Sequence, residues 1–187
     1  MSISSVRARL RSAWRGVVAD ARLQDELAGA SPRRVRLGAL AHPSLRAGWL
    51  FRLAAGGGRL GRCARNALLS LHACDVSPGA RFEGALHLPH PHGITIGIGV
   101  VVGDRVAIYQ GATLGADRAG RYPVIADRVR LFPMSVVAGG IHVGAGATVG
   151  ALSFVSRSVA PGTTVRRDGA DRRESAHPEA RVPEGAS

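Results

Sequence analysis

Leu88-Pro89-His90-Pro91-His92-Gly93-Ile94-Thr95-Ile96-Gly97 lies within a run from Asp75 to Val165 in which aliphatic residues return at every sixth position. From Ile96 the beat passes through Val102, Ile108 and Leu114. It breaks once, then resumes at Ile125, Leu131, Val137, Val143, Val149 and Val155. A glycine or another small residue often follows, and a second track of small or branched residues stands two positions earlier (Val100, Val106, Ala112, Val129, Ser135, Ile141, Ala147, Ser153). A period of six is neither the 3.6 of a helix nor the 2 of an ordinary strand. It is the period of a parallel β-helix. Three sixes make a triangular coil whose aliphatic residues point into a narrow prism, with turn positions that favour glycine. One such coil cannot bury its apolar face alone, so several must stack.

Upstream, Val76, Phe82, Leu88 and Ile94 hold the same spacing before a slip of two residues to Ile96, directly after the histidine-rich stretch. A register break lets the backbone bulge and present side chains, which makes it the place to look for chemistry. The second break, Ala116 to Pro123, reads as a loop thrown out from the prism, and loops on rigid scaffolds commonly carry function. After Val155 the beat fades through Val159 to Val165. Residues 166–187 are charged, contain Pro and Gly, and read as a flexible tail.

Residues 1–73 read as helical. Val6, Leu10, Trp14, Val17, Val18 and Ala21 recur at helical spacing with Arg7, Arg11 and Arg15 between them, and Ser31-Pro32 interrupts. A second helical region runs from about Arg36 to His72, broken near Gly56-Gly57-Gly58, with stripes of Leu45, Trp49, Leu50, Leu53 and of Leu60, Ala64, Leu68, Leu71. Two readings stand: a cap over the open end of the solenoid, or a basic amphipathic surface lying on a membrane.

All 25 basic residues are arginine, and the formal net charge is +12. That excess favours anionic ligands, but neither a reader module nor an aromatic stacking platform for nucleic acid is present. Cys63 and Cys74 have no metal-ligand spacing. No apolar run approaches a membrane span, and no leader pattern is visible, so a cytoplasmic protein is expected. His87, His90 and His92 crowd one stretch without the acidic partners that a metal site needs, and no metal is expected. Histidine is the usual general base near neutral pH; the alternative is a polar surface residue.

Asp75-Val76-Ser77-Pro78-Gly79-Ala80, His90-Pro91-His92-Gly93-Ile94 and Tyr109-Gln110-Gly111-Ala112-Thr113-Leu114-Gly115 resemble, in order and in nearly all their spacing, the serine O-acetyltransferases. These are hexapeptide-repeat acyltransferases of the left-handed β-helix class, and the resemblance covers about Leu45 to Val165. It implies a mostly β fold, a left-handed parallel β-helix over 74–165 behind an N-terminal α-helical region. It also implies acetyl-CoA as cosubstrate and a homotrimer with active sites shared between subunits. His90 matches the catalytic histidine, and Asp75 matches the aspartate that pairs with it; a carboxylate there fixes the tautomer and stabilises the imidazolium. Arg121 matches an arginine near the substrate carboxylate, with Tyr122 and His92 beside it. Gly115, Ala116, Pro133, Met134, Ala151 and Leu152 fall where the cofactor groove is expected, and a backbone N–H near Gly115-Ala116 is the candidate oxyanion donor.

The chain departs from that family in several places. Pro89 replaces an aspartate and Tyr122 a histidine, both of which help hold the amino acid, so serine specificity is open. Phe132-Pro133-Met134 replaces Gly-Ala-Gly, and Arg166-Arg167-Asp168 stands where Gly-Asn-Pro-Ala-Arg is usual. The chain ends Gly-Ala-Ser without the isoleucine by which some relatives dock onto the next enzyme of cysteine synthesis, and the short N-terminal region suits a single trimer. Two alternatives accompany the serine acetyltransferase reading. One is an O-acetyltransferase acting on a sugar or secondary-metabolite hydroxyl, and the other is a noncatalytic hexapeptide-repeat scaffold.

Overall fold

The structure is a computed structural model and describes residues 3–31, 35–167 and 172–173. Helix α1 spans Ile3–Leu27. A 3-10 turn at Leu37–Ala41 leads into α2 (Pro43–Ala55) and α3 (Gly58–His72). Pro43 opens α2, where its missing N–H costs nothing. Gly57 and Gly58, at φ of 63° and 68°, turn the chain into α3.

Strands of two or three residues then wind into three parallel sides, in a left-handed β-helix. Side one stacks β1 (Asp75–Val76), β4 (Thr95–Ile96), β7 (Thr113–Gly115), β10 (Val136–Ala138) and β13 (Phe154–Val155). Side two stacks β2 (Arg81–Phe82), β5 (Val101–Val102), β8 (Val124–Ile125) and β11 (His142–Val143). Side three stacks β3 (Leu86–His87), β6 (Val106–Ile108), β9 (Arg130–Leu131), β12 (Thr148–Val149) and β14 (Thr163–Val165). Of the tail read as flexible, most lies outside the described residues. Within the described part, β15 (Arg172–Arg173) pairs antiparallel with β14.

The register on side one shows how the coils absorb length. Val76 pairs with Ile96, Ile96 with Leu114, Leu114 with Val137 and Val137 with Val155. The chain therefore advances 20, 18, 23 and 18 residues per coil. Every departure from 18 falls at an edge between sides. The beat does not fade after Val155: Val159 is buried and bridges Val143 after a step of four, and Val165 pairs with Val149.

Val76, Ile96, Leu114, Val137 and Val155 are all buried and form one column of the prism; Ile108, Leu131 and Val149 form another. Each such side chain contributes about 1.5–3 kcal/mol on leaving water. At the edge between sides two and three, Arg105 and Arg128 stand at positive φ where glycine was expected. Carboxylates brace this edge: Asp104 Oδ1 accepts from Ala85 N, and Asp127 Oδ1 accepts from Asp104 N, each at 2.8 Å.

The helices cap the first coil. Edge strand β3 would otherwise leave backbone groups unpaired. Asp20 of α1 accepts from Leu86 N at 2.7 Å, and Arg52 of α2 donates to Gly84 O at 2.8 Å. Asp20 and Arg52 are themselves bound through both oxygens and both terminal nitrogens, at 2.7 and 2.8 Å. Gly16 and Gly48 leave the space that this buried pair fills. On α3 the buried positions are Gly61, Ala64, Leu68 and His72, whereas Leu71, read as part of the inner stripe, is exposed. The spacing of four runs on from Leu68 to His72, and a polar ring takes the core position. Among the described residues no helix is long and apolar enough to cross a membrane.

Candidate active site

The two extra residues of the first coil fall at the edge between side three and side one, in Pro89–Gly93. Leu88 and Ile94 are buried on either side and act as anchors. Between them Pro89 and Pro91 bias the residues before them away from the helical region, and Gly93 turns back at φ +66°. His92 N donates to His90 O at 2.8 Å, closing a tight turn that leaves both His90 and His92 side chains exposed.

This edge continues up the prism as a column of left-handed residues: Gly93, Gly111, Met134 and Leu152, at φ of 66°, 70°, 58° and 58°. Backbone bonds tie it together, from Gly111 N to His92 O (2.8 Å), Met134 N to Gln110 O (3.0 Å) and Leu152 N to Pro133 O (3.0 Å). A Cβ at Gly111 would meet only the flexible end of the exposed Met134 side chain, and the left-handed backbone is what favours glycine there. Met134 and Leu152 are more than half exposed, as is Phe154 just past the edge on side one. Tyr109 and Phe132 stack beside them with ring centroids 5.1 Å apart. His90, His92, Pro133, Met134, Ala151 and Leu152 thus share one edge.

The other singled-out residues occupy the edge between sides one and two. Gly115 and Ala116 lead into the loop 116–123, which Asp117 organises. Its Oδ1 accepts from Ala119 N (2.9 Å) and Arg121 N (3.0 Å), and its Oδ2 accepts from Arg121 Nε (2.8 Å). The Arg121 backbone N–H and guanidinium hold the Asp117 carboxyl below the usual carboxylate range. The Arg121 side chain is 71% exposed, free to meet an anion once it leaves Asp117. Tyr122 lies flat over Gly97 and Gly99, where neither residue leaves room for a Cβ, and it packs against the core. Within one chain, then, His90 and Arg121 stand on different edges of the prism.

Asp75 begins β1, and both its oxygens go to Arg65 of α3: Nε to Oδ1 at 2.5 Å and Nη2 to Oδ2 at 2.7 Å. No hydrogen bond joins it to His90, as the pairing expectation required; the guanidinium reaches the carboxylate first. Each oxygen keeps a second lone pair for another donor. The hydrogen bonds from Arg65 hold the Asp75 carboxyl below the usual range. Sequence reading missed Arg65 and the Tyr109–Phe132 stack. The six-residue register could have exposed the stack, since both rings follow an inward aliphatic on side three. Arg65 had no local signal. Among the described residues no group of three His, Cys, Asp or Glu is placed to hold a metal ion.

A parallel solenoid closed by helices, with an exposed histidine on an edge bulge, defines a β-helix protein of the hexapeptide-repeat class. No family model matches the chain. It is 39% identical over 103 residues to the plasmid serine acetyltransferase of Synechococcus elongatus, covering 49% of this chain and 32% of that one. Against the serine acetyltransferase of Staphylococcus aureus it is 36% identical over 106 residues, covering 51% and 50%. The matched region thus spans half or less of these curated relatives. Among solved structures, soybean serine acetyltransferase complexed with serine superposes with TM-score 0.68 at 30% identity, covering 86% of this chain and 68% of that one. The Neisseria gonorrhoeae serine acetyltransferase in complex with serine gives 0.71 at 27% identity, covering 86% and 70%. The chain belongs to the serine acetyltransferase family.

Proposed function

We propose that this chain is a serine O-acetyltransferase that moves the acetyl group of acetyl-CoA onto L-serine, giving O-acetylserine for cysteine synthesis in the cytoplasm. The observation that carries the reading is His90 on an edge bulge, solvent-facing, at the foot of the exposed Met134–Leu152 column. Serine bound in the two solved relatives supports the acceptor.

In this mechanism His90 takes the proton of the serine hydroxyl, and the oxygen attacks the thioester carbonyl. Backbone N–H groups near Gly115-Ala116 stabilise the oxyanion. The tetrahedral intermediate expels the coenzyme A thiolate, which takes the proton back from the imidazolium. Asp75, kept ionised by Arg65, favours that imidazolium. Met134 and Leu152 offer apolar contact to the pantetheine arm. Arg121 binds the serine carboxylate. Because His90 and Arg121 lie on different edges of one prism, the site is read as completed between subunits of a homotrimer.

Release of coenzyme A with L-serine, run beside His90→Ala, tests the reading. Serine-dependent turnover that vanishes in the variant supports it; turnover unchanged by the substitution overturns the assignment of the base. A second reading, acetylation of a sugar or secondary-metabolite hydroxyl, is favoured by Tyr122. Its ring is committed to Gly97 and Gly99 rather than free for an amino acid. Under that reading serine would be inert and acetyl-CoA would still bind.

A further inference from the structure

His72, the last residue of α3, is 3% exposed and sits beneath the corner that carries His90. Its Nε2 lies 3.3 Å from Arg46 Nε of α2, and its Nδ1 lies 3.1 Å from Pro91 O. Arginine can only donate, so Nε2 accepts. Nδ1 therefore carries the hydrogen and donates to Pro91 O, which fixes one neutral tautomer. The main chain of the same residue acts on the same corner: His72 O accepts from Gly93 N at 3.0 Å. Burial, then the charge of Arg46, holds the imidazole below the ordinary histidine range, with His92 adding to that push and Pro91 O opposing it.

A regular coil fixes its corners through the coils above and below. The Pro89–Gly93 corner holds two residues more than a regular coil and needs another support. Gly111 N holds His92 O from the next coil, and His72 holds Pro91 and Gly93 from the helix end. A leucine or phenylalanine would fill the same core position without bringing two ring nitrogens out of water, a cost recovered only when both are bonded.

We propose that His72 is a positioning residue for the His90 corner, its ring and carbonyl together setting the direction in which His90 faces the acceptor. This rests on the reading of His90 as the base. The comparison is between His72→Leu, which keeps bulk and loses the donor, and His72→Asn, whose amide can replace Nδ1–H. In His72→Leu the His92 amide, bonded to His90 O, exchanges with solvent at least about tenfold faster. There kcat falls roughly 10- to 100-fold while KM for acetyl-CoA stays within about twofold, as expected for a small misplacement of a reacting group. His72→Asn recovers most of both. Wild-type exchange and kcat in His72→Leu overturn the proposal, as does a loss that His72→Asn fails to recover. Should His72→Leu not fold, His72→Gln, which puts its amide at the Nε2 position, takes its place: a His72→Gln variant as active as His72→Asn sinks the idea. Turnover that survives His90→Ala would instead defeat the base assignment, and the amide-exchange comparison then decides the role of His72 by itself.

Discussion

Arg65 grips both oxygens of Asp75, at 2.5 and 2.7 Å, across the turn where α3 hands the chain to β1. The pair is about one-third exposed on each side, so solvent screens it. Arg65→Gln is expected to lower stability by no more than about 1 kcal/mol, the range for such pairs. The Asp75 carboxyl is depressed in the fold, so its contribution is complete above the unfolded carboxylate value near 4 and is lost as pH falls through the folded value. Urea unfolding of both proteins should show a constant difference from pH 7 to about pH 5, shrinking below about pH 4. A difference that persists undiminished at the acid end would refute this account.

Asp20 and Arg52 are a different case, because Asp20 is 1% exposed. Burial pushes its carboxyl up, against the pull of Arg52 and the Leu86 N–H. Asp20→Ala strands the guanidinium and leaves the edge of β3 unpaired, which is expected to cost about 3–5 kcal/mol. The double replacement Asp20→Leu with Arg52→Met should cost less than either single change. Equilibrium denaturation of the three variants measures this, and a double variant less stable than both singles contradicts it.

Acid should loosen the fold through two histidines. Burial holds both His72 and His87 below the ordinary histidine value. The unfolded chain therefore takes up protons first: stability is complete above about pH 6.5 and declines as pH falls toward the folded values. His87→Gln should flatten part of that decline, because it removes one of the two buried titrating rings; among the described residues His87 Nδ1 finds no hydrogen-bond partner. Urea midpoints between pH 7.5 and 5 that do not move with pH would count against it.

Met134→Ala combined with Leu152→Ala removes two exposed apolar side chains from the column above His90. Stability should change by under about 0.5 kcal/mol per site. KM for acetyl-CoA should rise about tenfold, the equivalent of roughly 1.4 kcal/mol. An unaltered KM would remove this edge from the cofactor groove.

A shared site predicts complementation. His90→Ala and Arg121→Ala chains, each inactive alone, should regain measurable turnover when co-expressed, because a mixed trimer contains sites with one intact residue from each chain. Activity that stays absent in the mixture counts against a site that takes His90 from one subunit and Arg121 from another.

The prism interior was legible because each inward residue is set by its neighbours six positions away: Val102, Ile108 and Leu131 are all buried as their spacing requires. The His90 corner was legible for the same reason, as a fault in an otherwise regular beat. Contacts that cross between elements were not. Arg65 of α3 meets Asp75 of β1 ten residues on, across the turn between them, and Asp20 meets Leu86 across 66 residues. Leu71 reads as part of the stripe, although the spacing of four from Ala64 through Leu68 leads to His72. The separation of His90 from Arg121 on one prism could be counted from the order of sides, and it agrees with the expectation that the two serve one site from different chains.

The coils of 20 and 23 residues keep their sides in step with the 18-residue coils that follow. Edge length is therefore uncoupled from the packing of the prism. The exposed part of the loop, residues 116–121, can therefore vary in length while Leu114 and Ile125 keep their places, provided Tyr122 stays on Gly97 and Gly99 and Pro123 O keeps the Val101 amide. That makes the scaffold a natural host for loop transplantation, with Gly115 and Tyr122 as the splice points.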